Sequence, residues 1–393
     1  MTEKLFYEDS YIKEFRARVL FCTEREGGYQ AVLTRTAFFP EGGGQNADTG
    51  FLYTEDGIEV NVTDVQEKDG VVFHYITGPL KEGEEITGKL DFQERFSKMQ
   101  QHTGEHIISG LVSRHFGYHN VGFHLGTEEV TMDYDGVLTK EDLEQIEEEA
   151  NEAVAKNLPV VVLYPSEEEL KNITYRSKIE IEEQIRIVQI PGYDSCACCA
   201  PHVKETGSIG LIKIVGAIHY KGGMRISMLC GFRALRDYRM KEKNIVRISN
   251  LLSAKQEDTA QAVERLGQEI NRQKEKIRDL QQRYVALCLE DARKKAAVAP
   301  EESILLFVEE LDGGARRNFV NGAMEMTEGF AGVFVGTDEQ GYQYVLGSRN
   351  QDIQEAGKKL NVRFQGKGGG RPPMIQGSLN GTEQEIKEFI KNI

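Results

Sequence analysis

The chain has 393 residues and a formal net charge of −15, with 39% hydrophobic and 28% charged residues. That length allows several domains and a sizeable core. No apolar run approaches the ~20 residues of a membrane span, and the acidic balance argues against indiscriminate nucleic-acid binding.

The acidity is uneven. Residues 1–237 hold 24 Lys/Arg against 40 Asp/Glu, residues 238–297 hold 14 against 9, and residues 298–393 hold 10 against 14. A partner held by a local basic face therefore stays open. The start, MTEKLFYEDSYIKEF, has scattered acids and no apolar secretory core, which predicts a cytoplasmic location and no membrane partner. Of six cysteines, Cys196, Cys198 and Cys199 crowd together while Cys22, Cys230 and Cys288 are scattered. That is no disulfide framework; clustered thiols read as metal ligation.

Residues 1–90 predict a small β-barrel or meander. Arg18–Cys22, Gln30–Leu33, Ile58–Val65, Val71–Tyr75 and Glu85–Leu90 are β-branched or aromatic runs separated by Gly and Asp turns. Within them, Thr36 to Gln45 carries the run Gly42-Gly43-Gly44, which serves a tight turn equally as well as close approach of backbone to a ligand.

Residues 91–237 predict an α+β core. Apolar residues recur at helical spacing over 91–116, so His102 and His106, four apart, share one face. Helices capture metals with such pairs, but the order His102-Thr-Gly-Glu-His106 is not the H-E-x-x-H of a metalloprotease. Taken alone, the pair is as readily a coincidence of core or surface. Strands are expected within Val121–Tyr134. Thr139 to Asp142 resembles a capping box opening an acidic helix to about Asn157. Val160–Tyr164 reads as a buried strand and Ile185–Ile190 as another. The loop that follows holds Cys196, Cys198, Cys199 and His202, which packing explains poorly. Joined with His102 and His106 it makes a mixed His/Cys site for Zn²⁺, in which any of the three thiols can ligate. Two glycine-turned strands follow, Ile209–Tyr220 and Arg225–Cys230.

Residues 238–298 contain no proline. One apolar stripe runs through Ile245, Ile248 and Leu252. A near-heptad stripe runs through Val263, Leu266, Ile270, Ile277, Leu280, Tyr284 and Leu287, with Gln273 interrupting. The pattern favours a helical hairpin with a short first arm and a second about 55 Å long, with a self-associating coiled coil as the competing explanation. Residues 299–393 predict an α/β domain, with strands at Ser303–Val308, Gly332–Thr337 and Tyr342–Ser348 and helices near Ala315–Met326, Gln351–Leu360 and Glu383–Lys391. Gly366 to Gly377 can wrap backbone N–H groups and the charges of Lys367 and Arg371 around a phosphate. It lacks the order of a P-loop, which disfavours an NTPase.

Four motifs in this order resemble the editing half of alanyl-tRNA synthetase and its freestanding relatives, the AlaX family. Thr36-x-Phe-Phe-Pro-Glu-Gly-Gly-Gly-Gln45 is similar to the family's T-x-F-Y-x-E-x-G-G-Q. His102 to His106 is similar to its H-T-x-x-H, and Cys198 to Val203 to its C-G-G-T-H-V. Gly366 to Gly377 is similar to the glycine-rich segment of the C-terminal domain associated with DHH phosphoesterases. The third motif departs, reading C-C-A-P-H. No D-H-H sequence occurs, and no segment resembles an aminoacylation domain, so the resemblance implies a chain that edits without charging tRNA.

The resemblance implies a trans-editing deacylase of Ser-tRNA(Ala), and of Gly-tRNA(Ala), with His102, His106, Cys198 and His202 binding Zn²⁺. Thr36 is the candidate for recognising the serine hydroxyl, with Gly42, Gly43 and Gly44 as the substrate wall. Gln45 and the backbone of that wall are candidates for orienting the ester or its water, and Glu105 for acting as base; at about 100° per helical residue, Glu105 as readily faces solvent or backs the ligands. Lys367 and Arg371 are the first candidates for tRNA contacts, ahead of Arg316, Arg317, Lys358, Lys359 and Arg363. A homodimer through the coiled coil or the C-terminal domain is a further expectation. Two other classes share these residues: a zinc-stabilised tRNA-binding protein without activity, and a zinc hydrolase of a small ester or amide. Whether the metal is catalytic or structural is left open by a three-His, one-Cys set.

Overall fold

The structure is a computed structural model that describes residues 1–126, 129–177 and 185–393. It is mixed α+β. The chain divides into two compact units, Met1–Asn244 and Ile245–Ile393, the division falling inside the helix Gly231–Leu252.

The first unit opens with a closed barrel of six strands. Around it run Glu14–Arg25, Gly28–Leu33, Val71–Ile76, Glu59–Lys68, Gly50–Thr54 and Glu85–Leu90. All neighbours pair antiparallel. Alternation drives closure: Val72, His74 and Ile76 point inward while their neighbours are partly exposed, as a period of two requires. Val19, Leu33, Leu52, Val62, Val65 and Ile76 fill the interior. The five expected runs lie in five of these strands, and Gly50–Thr54 is a sixth that its Gly, Phe, Leu, Tyr, Thr composition did not single out.

Helix α1, Phe92–Phe116, follows the barrel. Asp91 caps its start by accepting from Glu94 N, and Gly117 ends it in the left-handed conformation at φ 69°, the usual helix stop. Two small sheets pack with it. One runs in the order Ile212–Tyr220, Gly223–Cys230, Val130–Tyr134, Asn120–Leu125; the other runs Val161–Leu163, Ile187–Ile190, Asp194–Ala197. Met99, Ile107, Ile108 and Leu111 of α1 share a core with Met132, Ile226 and Met228. Helix α2, Lys140–Lys156, starts with the full Thr139/Asp142 capping box. The Val161–Leu163 strand is not buried as expected. It is a sheet edge, and Val162 is 36% exposed.

In the second unit, Ile304–Val308, Ala331–Thr337, Gly341–Gly347, Met374–Leu379 and Lys367–Arg371 form one sheet in that order. Helices Gly313–Met324, Ile353–Arg363 and Glu383–Lys391 complete it. The glycine-rich segment is a β-hairpin at the sheet edge, Gly368 facing Gly377 across it. A Cβ on Gly368 would stand 2.9 Å from the Tyr344 hydroxyl, so glycine there makes room for Tyr344 as well as sparing the outer edge.

Helix Thr259–Ala296 spans 38 residues. Val285, Cys288 and Leu289 on one face pack with the Gly313–Met324 helix residues Phe319 and Val320. The near-heptad stripe lies on another face and stays open: Val263, Leu266, Ile270, Ile277, Leu280, Tyr284 and Leu287 are each between 43% and 63% exposed. No helix among the described residues is long and apolar enough to cross a membrane.

Candidate metal centre

His102 and His106 project from α1, one turn apart, and Cys198 and His202 come from the loop after Asp194–Ala197. One ligand atom from each of the four lies within 4.8 Å of every other. The rings crowd accordingly, with centroids 5.5 Å apart for His102–His106, 4.8 Å for His102–His202 and 4.5 Å for His106–His202. Cys198 Sγ is 3.6 Å from His102 Nε2 and 3.4 Å from His202 Nε2. For Zn–S of about 2.3 Å and Zn–N of about 2.0–2.1 Å at a tetrahedral angle, an N···S edge is about 3.6 Å. The donor set therefore fits zinc in chemistry and in size.

The opposite ring nitrogens are spoken for. His102 Nδ1 is 3.1 Å from Gln45 Oε1, an acceptor. His106 Nδ1 is 2.9 Å from Asp194 Oδ2, and a carboxylate only accepts. His202 Nδ1 is 3.1 Å from Thr103 Oγ1, whose own proton goes to Met99 O at 2.8 Å. Each Nδ1 must then carry the proton, which puts the lone pair on Nε2. Such outer partners fix tautomer and ring orientation in metal sites.

Electrostatics point the same way. Burial, then the His106 and His102 rings, hold His202 well below its ordinary pKa, so it is neutral, as a ligand must be. Burial, then the neighbouring Cys199 thiol, push Cys198 far above the usual thiol range; only a bound cation would make it a thiolate. Burial would raise Asp194, but the His106 hydrogen bond and the Arg176 guanidinium outweigh it and keep the carboxylate charged. Arg176 grips both Asp194 oxygens, Nε at 2.8 Å and Nη2 at 3.0 Å.

The three thiols separate. Cys198 joins the tetrad. Cys196 is buried beside His106 and Asp194, with ligand atoms of these three within 4.8 Å of one another. Cys199 is exposed and faces the glycine strip, 3.5 Å from where a Gly43 Cβ would be.

That strip is a tight turn. Gly42 N and Gln45 N each donate to the other residue's carbonyl at 3.0 Å. Gly44 adopts φ 80°, and a Cβ there would strike Phe123 at 2.7 Å, so glycine is needed twice over. Phe123 lies 4.8 Å from the His102 ring, centroid to centroid. The strip thus runs from Cys199 on one side to Phe123 and His102 on the other. Helix α1 holds its flanks: Arg95 Nη2 donates to Ala37 O at 2.6 Å, Arg95 Nε to Asp48 Oδ2 at 2.7 Å, and Lys98 Nζ to Ala47 O at 2.6 Å. Gln45 is fully buried; its Oε1 faces His102, and its Nε2 has no partner among the described residues.

Thr36 is fully buried in the short strand Arg35–Thr36, which pairs parallel with Glu3–Lys4 outside the barrel. Its Oγ1 is 2.8 Å from His74 Nε2 and accepts from Phe38 N at 3.1 Å. His74 Nδ1 sits 3.3 Å from Ala31 O, which makes Nε2 the acceptor and leaves Thr36 one acceptor lone pair. Glu105 does not face solvent, one of its two sequence-based alternatives. It is 1% exposed; Oε1 accepts from Ser109 Oγ and Asn120 Nδ2, both at 2.7 Å, and Oε2 is 3.9 Å from His106 Nε2.

In the second unit, Lys367 and Arg371 are exposed four residues apart on one strand, hence on one face. Gln376, opposite Gly369, shares that face and accepts from Arg317 Nη2 at 3.1 Å. Arg316 Nη1 donates to Gln343 Oε1 at 2.9 Å. Arg316 and Arg317 line a cavity of about 520 Å³ with Gln343 and Gln376. Lys358, Lys359 and Arg363 belong to the helix Ile353–Arg363 and do not line that cavity; Lys359 pairs with Glu355 at 2.9 Å.

Thr103, Asp194 and Arg176 escaped sequence reasoning. Thr103 and Asp194 stood beside motif residues and could have been flagged as polar groups next to ligands. Arg176 lies 18 positions from Asp194, and nothing in its neighbourhood marks it.

Comparison with known proteins agrees. Residues 4–94 match the family model of tRNA synthetases class II (A), and residues 185–248 match the threonyl and alanyl tRNA synthetase second additional domain. The chain is 32% identical, over 99% of its length, to an alanine–tRNA ligase of Pyrobaculum neutrophilum, of which it covers 44%, and 30% identical over its whole length to that of Pyrococcus abyssi, of which it covers 43%. It thus spans less than half the length of these ligases. An alanyl-tRNA editing protein AlaX-L of Pyrococcus horikoshii is 27% identical over 98% of the chain and 96% of its own length. With its motifs, both matched domains and this end-to-end relative, the chain is similar throughout its length to the alanyl-tRNA editing proteins of the AlaX type.

Proposed function

We propose that the protein hydrolyses the ester of tRNA(Ala) mischarged with serine, and with glycine, in trans. The observation that carries this reading is the convergence of three histidines and the Cys198 thiol within 4.8 Å, beside the Gly42–Gln45 strip. An alanine-sized pocket cannot strongly reject a residue that lacks one methyl or adds one hydroxyl, so a second, hydrolytic site is needed to repair the error. His102, His106, Cys198 and His202 would hold Zn²⁺, which when bound supplies a Lewis acid and a fixed pocket edge.

The chain's own residues supply the rest. The orphaned Gln45 Nε2 donor is available to the ester carbonyl or its water, while Gln45 Oε1 orients His102. The remaining Thr36 lone pair can accept from the serine hydroxyl. Glu105, buried among hydrogen-bond donors, shapes the field at His106 and is a candidate to hold the proton of the attacking water. Lys367, Arg371, Arg316 and Arg317, on one face of the C-terminal sheet, would hold tRNA phosphates, giving salt-dependent affinity. The open heptad face of Thr259–Ala296 would pair with a second copy: Val and Ile at one seam position with Leu at the other favour two parallel strands. In that register Glu269 meets the other copy's lysine at position 274.

The test is serine release from Ser-tRNA(Ala) beside Ala-tRNA(Ala). Serine is expected to be released and alanine spared. A folded, zinc-loaded protein that binds tRNA and releases no serine would overturn the enzymatic reading.

A further inference from the structure

A cleft of about 350 Å³ borders the end of the loop that carries Cys198 and His202. Tyr7, Val162, Tyr164, Arg186, His202 and Lys204 line it. It shares His202 with the tetrad, and its other lining residues are not among the four ligands. Tyr164 is 46% exposed and Val162 36%, so the aromatic wall is open to solvent. The Arg186 guanidinium stands 5.6 Å from the Tyr7 ring centroid. Arg186 itself is 9% exposed. Its Nη1 donates to Cys198 O at 2.7 Å and Ala200 O at 3.1 Å, while its buried Nε has no partner among the described residues.

A buried donor left without an acceptor costs free energy unless a ligand supplies one. The walls say which ligand. Two tyrosines offer π-faces for stacking a planar heterocycle. The charge is balanced: Lys204 Nζ is 3.0 Å from Asp9, which also lines the cleft with Glu8. A phosphate-rich ligand gains little here; a nearly neutral nucleoside with ring acceptors gains stacking and the Arg186 hydrogen bond. The volume admits one such unit.

We infer that this cleft receives the base of the terminal nucleoside at the tRNA acceptor end. The inference rests on the aminoacyl-tRNA reading above, because the scissile ester joins the amino acid to that nucleoside's ribose. A base next to the ester must lie next to the tetrad, and the cleft borders it through His202. Arg186 then ties occupancy of the cleft to the loop carrying Cys198, since one guanidinium serves both.

Adenosine 5′-monophosphate is the probe, titrated by saturation-transfer NMR into the zinc-loaded full chain. Tyr164→Ala, at an exposed position, should weaken binding about tenfold or more, and Tyr164→Phe should restore it, as stacking at about 1–3 kcal/mol per base requires. In deacylation, Tyr164→Ala should raise KM for Ser-tRNA(Ala) by a similar factor while hydrolysis of serine ethyl ester, which has no nucleoside, is unchanged. Absence of binding, or binding that Tyr164→Ala and Tyr7→Leu both leave intact, overturns the inference. Binding that responds as stated in a protein that releases no serine keeps the subsite and sinks the editing reading, so the two fail separately.

Discussion

His106 Nδ1 stands 2.9 Å from Asp194 Oδ2, and Arg176 grips that same carboxylate through Nε and Nη2. A helix, a strand and an arginine from a third segment thereby set which nitrogen of His106 faces the tetrad. Asp194→Asn can present its amide nitrogen to Nδ1 and removes the charge that stabilises the ligand. It should lower zinc affinity about 10–100-fold, read by competition with a chelator, with the fold retained. Unchanged affinity would show that His106 is oriented by something else.

Gly110 lies one turn beyond His106 on α1, where a Cβ would sit 2.2 Å from Tyr193 O and 2.9 Å from Asp194 Cβ. Backbone cannot retreat there without moving Asp194. Gly110→Ala should cost about 1–3 kcal/mol of stability as overpacking and weaken zinc binding with it. Chemical denaturation and metal titration check the two together; a loss of stability with wild-type zinc affinity contradicts the coupling.

His74 is fully buried, and burial foremost pushes its pKa down to about 4, against a modest opposing hydrogen bond to Ala31 O. The unfolded chain titrates near 6.5. Between those values the unfolded state binds more protons, so stability present above about pH 6.5 falls as pH drops toward 4. From pH 7 to pH 5 this one group should remove roughly 2 kcal/mol. His74→Gln, which can still bond Thr36, should lack that component when denaturant unfolding is compared at the two pH values. Equal slopes would contradict it.

Ile270 and Ile277 are 43% and 53% exposed on the long helix. If a second copy covers that stripe, Ile270→Lys with Ile277→Lys should convert a dimer to a monomer in analytical ultracentrifugation, with the metal centre untouched. A wild-type chain that is monomeric at micromolar concentration defeats the coiled-coil pairing.

Much of this was legible in the sequence because periodicity is a local signal. The barrel strands, α1, the Thr139 cap and the C-terminal strands all announce themselves within a few residues. The His102/His106 pair was visible for the same reason, and the Cys198/His202 half by the crowding of thiols. What could not be read is what long-range packing decides. Spacing did not choose among three thiols; the fold faces Cys198 inward, hands Cys196 to His106 and Asp194, and leaves Cys199 at the glycine strip. Of the outer partners, Thr103 and Asp194 stand near motif residues, but Arg176 reaches Asp194 from 18 positions away with nothing local to mark it. The glycine-rich Gly366–Gly377 looked like a phosphate wrap, yet register makes it an edge hairpin whose glycines accommodate Tyr344.

The central claim is that one metal sits among His102, His106, Cys198 and His202. Cobalt substitution tests it most directly, because a thiolate bound to Co²⁺ gives a ligand-to-metal charge-transfer band. The band should be present in the wild type, persist in Cys196→Ser and Cys199→Ser, and vanish in Cys198→Ser. A band that survives Cys198→Ser, or that is lost with Cys196→Ser in a folded protein, would contradict the account.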